Sequence, residues 1–313
     1  MRRWGLALAM LGLGLLSIPA FGADTPQPGM ENANTPQPGT VNYVEGPAFI
    51  GGRPINNREV GNLQLDAGQE LTTGAGKTEV LLTPGIFLRV DSNSAVKMIT
   101  PDLAKAQVEL EHGRAGVEVD QIFPQNCVQV MDAGVTTQLI KPGYYEFNAS
   151  QPEVQVFKGR AEVLLRNEKW ESVKDHHELA LSSDAHLKTV DFNANPQNDE
   201  LYNWSSLRSQ YLAEANNQIA GEYDYGAGFY PGWYWDPWAY DYTFIGWGPF
   251  MSPFGWGFYP WGGWGGWYGG GFYGRGFYRG RGFHGGGGFH GGGFAGGGFH
   301  GGGFGGGGMR GGR

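Results

Sequence analysis

The middle of the chain alternates short apolar runs with polar or glycine-containing breaks. In V-E-L-E at 108–111 apolar and polar residues alternate strictly, as in a strand with one buried face. In V-L-L at 80–82 all residues are apolar, which predicts a deeper position. The pattern predicts strands at 41–45, 47–50, 79–83, 86–90, 95–99, 107–111, 114–119, 128–131, 136–140, 144–148, 153–157, 161–165, 177–181 and 187–191.

Two short motifs recur in this region. The pattern V-x-apolar-x-x-G-x-A occurs at 41–48, 108–115 and 154–161, and a Pro-Gly pair lies between strand-like runs at two places. Proline presets φ for a turn, and glycine supplies a positive φ. The predicted turn residues are Gly46, Pro84, Gly85, Gly113, Pro142, Gly143 and Gly159. Repeated hairpins that each bury one face must stack, so we expect an all-β fold, either a β-sandwich or a short β-solenoid.

After this β domain, placed at 40–192, the apolar period becomes helical. Seven residues fall near one face at helical spacing: Leu201, Trp204, Arg208, Tyr211, Leu212, Ala215 and Ile219. Gly221 follows as a helix stop. We therefore expect one amphipathic helix over 198–220, with its aromatic stripe docked on the β domain.

The two ends of the chain have different compositions. Residues 1–22 combine two arginines, an apolar run and small residues, as in a secretory signal peptide. An uncleaved membrane anchor is the alternative. Residues 23–39 contain T-P-Q-P-G twice and predict an extended linker. The single cysteine excludes an internal disulfide. These features favour export to a bacterial periplasm or cell surface.

The C-terminal region is of low complexity. Residues 221–268 are rich in Trp, Tyr and Pro, and residues 269–313 are rich in Gly, which predicts a disordered tail. Two alternatives are open for residues 221–268: they lie on the surface of the β domain, or they become ordered against a partner. Tryptophans of this segment are the candidate partner-binding residues: Trp233, Trp235, Trp238, Trp247 and Trp256.

Several chemical readings find no support in the sequence. G-A-G-K-T at 74–78 resembles the end of a phosphate-binding loop, but Leu71 stands where the first glycine belongs and a strand follows. His176 and His177 are adjacent on a predicted strand and point to opposite faces. No spacing suggests a catalytic set, a metal site or a cofactor site. The net charge of -8, together with export, argues against a nucleic-acid partner.

The β region resembles the FecR-type periplasmic domain. The resemblance rests on V-N-Y-V-E-G at 41–46, T-E-V-L-L-T-P-G-I-F-L-R-V at 78–90, S-A-V at 94–96, and V-E-L-E-H-G-R-A-G-V-E-V at 108–119. It covers about half of the chain. It implies an all-β periplasmic domain, which in well-known members receives a signal from an outer-membrane transporter and belongs to an anti-sigma regulator.

Two further points qualify this resemblance. No cytoplasmic anti-sigma region is expected ahead of residues 1–22, so the sigma-factor mode is in doubt. Residues 203–216, with the aromatic tail, resemble exported FecR-domain proteins of the acidobacterial kind.

The sequence therefore predicts a non-enzymatic, exported, FecR-like binding or scaffold module. Its expected partner is an envelope protein, with a possible part in signalling. One alternative is a structural or adhesive envelope protein that acts on polysaccharide through its aromatic and Gly-rich tail. The other is a membrane-anchored signal relay to transporter and sigma-factor systems, which requires the N-terminal segment to stay uncleaved.

Overall fold

The computed structural model describes residues 36–165, 167–181, 187–192, 196–223 and 231–259. Their fold is all-β with one α-helix, as the pattern predicted. Seventeen strands form two large sheets. In chain order they are β1 (Val41–Glu45), β2 (Ala48–Ile50), β3 (Arg53–Ile55), β4 (Glu70–Thr73), β5 (Lys77–Thr83), β6 (Ile86–Val90), β7 (Ala95–Pro101), β8 (Lys105–His112), β9 (Arg114–Val119), β10 (Cys127–Asp132), β11 (Val135–Leu139), β12 (Gly143–Asn148), β13 (Glu153–Lys158), β14 (Arg160–Leu164), β15 (Trp170–Lys174), β16 (His177–Ala180) and β17 (Val190–Asp191).

The two sheets pack face to face as a β-sandwich, which decides between the two predicted architectures. The eight-stranded sheet has the order β1-β5-β6-β9-β12-β13-β16-β17, and the nine-stranded sheet has the order β15-β14-β11-β10-β8-β7-β4-β2-β3. Neighbouring strands are antiparallel except for β8 and β10, which are parallel. One apolar core joins the inner faces, with Val80 and Val117 from one sheet and Val108 and Val130 from the other.

The repeated glycine motif marks corners rather than hairpins. Gly46, Gly113 and Gly159 have φ values of 68°, 74° and 107°. Each lies where the chain leaves one sheet and enters the other: between β1 and β2, β8 and β9, and β13 and β14. The motif's alanine then enters the core, and Ala161 is fully buried. The predicted hairpins at these three places are therefore wrong, because consecutive strands pair in different sheets.

The two Pro-Gly pairs lie in two different kinds of connection between strands. Pro84 and Gly85 lie in the turn between β5 and β6, which pair with each other, and Gly85 has a φ of 84°. Pro142 and Gly143 instead lie where the chain passes from β11 in one sheet to β12 in the other. Gly143 begins β12, and a Cβ there would lie 2.0 Å from the carbonyl oxygen of Lys158. Glycine is required there because two backbones approach closely, not because of a turn.

A third layer, which we call the C-terminal layer, covers the outer face of the eight-stranded sheet. It consists of α1 (Glu200–Tyr223), the hairpin of β18 (Gly232–Asp236) and β19 (Asp241–Ile245), and the short pair β20 (Phe250–Met251) and β21 (Gly257–Phe258). Its apolar contacts join Leu81 and Phe87 of the sheet to Leu212, Trp233 and Phe244. This second apolar cluster explains why β5 and β6 are buried on both faces.

The helix and the aromatic segment differ in detail from the sequence expectations. The helix runs through Gly221 to Tyr223 instead of stopping. Tyr211, which the sequence placed on the docked face, is 47% exposed and lies outside that face. Within the segment of low complexity, residues 231–259 form ordered hairpins. The predicted signal peptide, residues 23–35 of the linker, and the Gly-rich tail lie outside the described residues. Within the described part, no helix combines the length and apolar character needed to cross a membrane.

Candidate functional site

A group of charged side chains lies buried between the eight-stranded sheet and the C-terminal layer. We call it the interlayer charge cluster. Strand alternation places its sheet residues on the outer face of β5, β6 and β9, opposite the sandwich core. No member is more than 5% exposed. The members are Glu79, Arg89, Glu118, Asp120, Arg208 and Asp241.

On the sheet side of the cluster, Arg89 on β6 contacts one acidic residue on each of the neighbouring strands, β5 and β9. Its Nε donates to Oε2 of Glu79 at 2.9 Å, and its Nη1 lies 2.5 Å from Oε2 of Glu118. Glu79 and Arg89 lie opposite each other in the register of β5 and β6. All three side chains are fully buried. Buried charges are costly unless they are paired, so each of these residues depends on the others.

The C-terminal layer supplies the other half of the cluster. Nη2 of Arg208 on α1 donates to Oε1 of Glu79 at 3.1 Å and to Oδ2 of Asp241 on β19 at 2.7 Å. Its guanidinium carbon lies 4.0 Å from the centre of the Tyr43 ring, in a cation–π contact. Ser209 donates to Oε1 of Glu118 at 2.6 Å. Polar contacts therefore connect the sandwich, the helix and the hairpin at one buried place.

The acids of the cluster are not equivalent. Burial alone would raise the pKa of Glu79, but the charges of Arg208 and Arg89 lower it below its ordinary value. Asp120 shows the opposite result, because burial and then the charge of Glu118 raise its pKa well above the ordinary value. Glu79 is therefore held ionised, whereas Asp120 favours its protonated form.

Two buried asparagines bind the backbone of the C-terminal layer. Asn42 on β1 donates to the carbonyl of Tyr242 at 2.9 Å and accepts from the N–H of Tyr242 at 2.7 Å. Asn216 on α1 donates to the carbonyl of Phe244 at 2.7 Å and accepts from the N–H of Tyr259 at 2.9 Å. Each amide acts as a neighbouring strand would, and satisfies buried backbone groups that are outside the two large sheets.

The five predicted partner-binding tryptophans lie in different surroundings. Trp233 is 8% exposed and contacts Phe87 and Phe244, so it belongs to the packing of the layer and is not accessible to a partner. Trp235 and Trp256 are partly buried. Trp238 and Trp247 are 79% and 69% exposed. Trp233 lies within β18, and its side chain points inward. Trp238 lies in the turn that follows this strand.

The turn between β18 and β19 presents two aromatic side chains to solvent. We call Trp238 and Tyr240 the aromatic tip; Tyr240 is 68% exposed. The N–H of Trp238 donates to Oδ1 of Asp236 at 2.8 Å, and the N–H of Tyr240 donates to the Asp236 carbonyl at 2.9 Å. Behind the tip, Trp235 packs on Tyr242 with ring centres 5.0 Å apart. The tip is therefore held on a fixed base.

The residues considered in the sequence for phosphate or metal binding have other contacts in the structure. In the 74–78 loop, a Cβ at Gly76 would lie 1.8 Å from the carbonyl oxygen of Glu45, so this glycine allows close backbone approach to β1. Lys77 donates to Glu200 at the start of α1, at 2.7 Å. His177 lies 3.0 Å from Asp191 on the neighbouring edge strand. In the part of the chain that the structure describes, no group of three or more His, Cys, Asp or Glu is arranged to hold a metal ion.

Sequence reasoning missed the interlayer charge cluster. Its signal was present in T-E-V-L-L and F-L-R-V, where Glu79 and Arg89 interrupt strands that are otherwise apolar. A charge inside a strand with two buried faces needs a partner. The partners Arg208 and Asp241 are more than a hundred residues away, so no local pattern connects them.

The fold and site define a β-sandwich closed on one face by a charge-paired C-terminal layer. No family model matches the sequence, and no curated protein matches it. Two crystal structures of "a putative anti-sigma factor" from Parabacteroides distasonis are similar in part, each with 15% identity and a TM-score of 0.35. The similar region covers 41% of this chain, and the chain spans 62% of the length of those proteins.

Proposed function

We propose that this protein is a non-enzymatic binding module of the cell envelope, and that it recognises a protein partner through the aromatic tip. The observation that carries the proposal is the exposure of Trp238, at 79%, on a turn between β18, which is mostly buried, and β19, which is buried throughout. Tryptophan and tyrosine supply a large share of the energy in protein interfaces. Leaving such side chains in water has no benefit for the fold of the layer.

The base of the tip supports this function because it reduces the cost of binding. The hairpin is fixed to the sandwich through Asn42, to the helix through Thr243, whose hydroxyl donates to the Leu212 carbonyl at 2.6 Å, and to the charge cluster through Asp241. A preorganised turn loses little conformational entropy when a partner binds. The envelope location rests on the signal-like pattern of residues 1–22 and on the FecR-type resemblance.

Site-specific photo-crosslinking in intact cells tests the proposal. A photoreactive amino acid at Ala239, which is exposed between the two tip residues, keeps Trp238 and Tyr240 in place. We expect it to form a discrete protein adduct that disappears when Trp238 and Tyr240 are both changed to Ala. A photoreactive residue at Lys169 is the matched control, since it adjoins the exposed Trp170 on the edge strand β15 of the other sheet.

Two results would overturn the proposal. One is an adduct at 239 that survives the double Ala substitution, because binding would then not use the tip. The other is the absence of any adduct together with co-sedimentation of the protein with isolated envelope polysaccharide that the double substitution abolishes. Aromatic faces also stack on sugar rings, so that second result would assign the tip to the polysaccharide-binding alternative.

A further inference from the structure

The interlayer charge cluster holds more acid than base. It contains the four carboxyl groups of Glu79, Glu118, Asp120 and Asp241, against the two guanidinium groups of Arg89 and Arg208. Full ionisation would leave two uncompensated negative charges in a place shielded from water. That state is costly in a medium of low polarity. Charge balance alone therefore favours retention of a proton in the cluster.

The position of the carboxyl groups shows where this proton belongs. Glu118 lies in β9, and Asp120 directly follows the last residue of that strand, Val119. The two carboxyl groups affect each other's pKa: the charge of Glu118 raises the pKa of Asp120, second only to burial. Oε1 of Glu118 already accepts from Ser209, and its Oε2 faces Arg89. Neither oxygen of Asp120 has a hydrogen-bond donor among the described residues, so a proton on one carboxyl group is what allows the two to bond.

Among the described residues, the base next to the pair is Arg89. The groups that act on the pKa of the pair, or whose pKa the pair affects, are Glu79 on β5, Arg89 on β6, and Ser209 and Tyr202 on α1. Arg208 is already shared between two acids, and Arg89 is also shared between two. The ion pairs of the cluster are therefore complete without Asp120.

We propose that Glu118 and Asp120 share one proton while the C-terminal layer is docked, and that docking of the layer on the sandwich weakens as the pH rises. Opening the layer hydrates the outer face of the eight-stranded sheet and leaves the sandwich core closed, since that core lies on the opposite face. This inference does not depend on the aromatic tip or on any partner.

The direction of the effect follows from proton linkage. In the docked state burial and the neighbouring charge of Glu118 raise the pKa of Asp120 well above 3.8. In the open state water returns both carboxyl groups towards their ordinary pKa of about 4. Docking therefore binds one proton. Its stabilisation is complete below the open-state pKa, and it is lost as the pH rises through the raised pKa of the docked state.

Hydrogen exchange of the full chain across a series of pH values tests this inference. Protection factors, which are corrected for the intrinsic pH dependence of exchange, are compared for α1 and β19 in the wild-type protein and in Asp120→Asn. Above the open-state pKa, we expect the wild-type protection of these elements to fall by up to about tenfold per pH unit more than that of the variant. Equal slopes in the two proteins would overturn the proposal.

Two matched substitutions separate the shared proton from a general effect of pH. Asp120→Asn keeps the shape and supplies an amide donor in place of the proton, so the additional slope of α1 and β19 should disappear. Asp132→Asn removes another buried acid, on β10 in the other sheet, and should leave that slope unchanged. An unchanged slope in Asp120→Asn would sink the proposal.

A spectroscopic measurement keeps the proposal testable if Asp120→Asn does not fold. At neutral pH the wild-type protein should show the infrared carbonyl band of a buried, protonated carboxyl group. Glu146 on β12 contributes to this band as well, because burial raises its pKa to about 8. Glu118→Gln, which removes one half of the pair, should reduce the intensity of the band and leave the contribution of Glu146. An equal intensity in the wild-type protein and in Glu118→Gln would contradict the shared proton.

Discussion

Single buried charges carry much of the pH dependence expected of this protein. Asp132 ends β10 and is 1% exposed. Burial raises its pKa to about 6, although the backbone N–H of Ala133 acts in the opposite direction. Because the carboxyl group binds its proton more tightly in the folded state, it contributes full stability below its ordinary pKa of 3.8 and loses that contribution as the pH rises through 6.

Asp132→Asn should remove this loss. Relative to the variant, the wild-type protein should lose up to about 3 kcal/mol of unfolding free energy between acidic and neutral pH, at about 1.4 kcal/mol per unit of pKa shift. Urea unfolding of both proteins at several pH values measures the difference. Parallel curves over the whole range would show that the pKa of Asp132 is not raised.

At the residue scale, the sequence predicts which positions have an unusual backbone conformation, but it does not predict which charged side chains are buried. Gly46 and Gly113 were identified as special positions because a repeated glycine indicates a conformation that other residues avoid. Glu118 and Asp120 looked like ordinary polar positions of an alternating strand. Their burial depends on a helix that starts at residue 200, and alternation alone does not report what covers a face.

At the scale of elements, the hairpin of β10 and β11 has a turn that its sequence does not favour. The loop consists of Ala133 and Gly134, with φ values of 50° and 74°, between the paired residues Asp132 and Val135. Two positive φ values in a two-residue loop are typical of a type I′ turn, which prefers Asn-Gly. Alanine in this left-handed conformation costs about 1 kcal/mol.

Ala133→Asn should therefore stabilise the protein by about 0.5–1 kcal/mol, because asparagine tolerates the left-handed region and the pairing stays unchanged. A thermal unfolding scan at neutral pH should show a higher Tm. Ala133→Val is the matched control and should lower the Tm, since a β-branched residue is poorly suited to a positive φ. A Tm that is the same for both variants would contradict this account of the turn.

The elements themselves were largely predictable, and their connections were not. Period-two alternation indicates strands wherever one face is wet, and this holds for most of β8 and β10. The G-x-A motif, however, fits a tight hairpin and a corner equally well. The choice depends on which strand pairs next, and that is settled by burial of the whole sheet rather than by residues near Gly113.

At the scale of the molecule, the C-terminal layer is part of the folded unit and not an appendage. It covers Leu81, Phe87 and the interlayer charge cluster. The contacts described above for the layer lie within residues 36–259. The sequence predicted a helix docked on the β domain, but it placed the aromatic segment in a region of low complexity, because Trp, Tyr and Gly in irregular order produce no periodic signal.

A chain that ends at residue 199 should be destabilised by more than about 3 kcal/mol, since it leaves Glu79 without Arg208 and exposes an apolar surface. A chain that ends at residue 259 is the matched control and should retain the Tm of the full protein. Calorimetry and size-exclusion chromatography of the three chains measure the effect. A soluble chain ending at residue 199 with an unchanged Tm would contradict this role of the layer.

The parallel pairing of β8 and β10 has a consequence for the order of folding. The two strands are neighbours in the nine-stranded sheet, yet the chain between them forms β9 of the other sheet. They therefore cannot pair as a local hairpin. When they pair, β9 must also take its place in the opposite sheet. Among the described strands the chain passes eight times from one large sheet to the other, so neither sheet is expected to persist alone as a folding intermediate. Folding should be cooperative and slow for the length of the chain, as in other proteins whose contacts join distant residues.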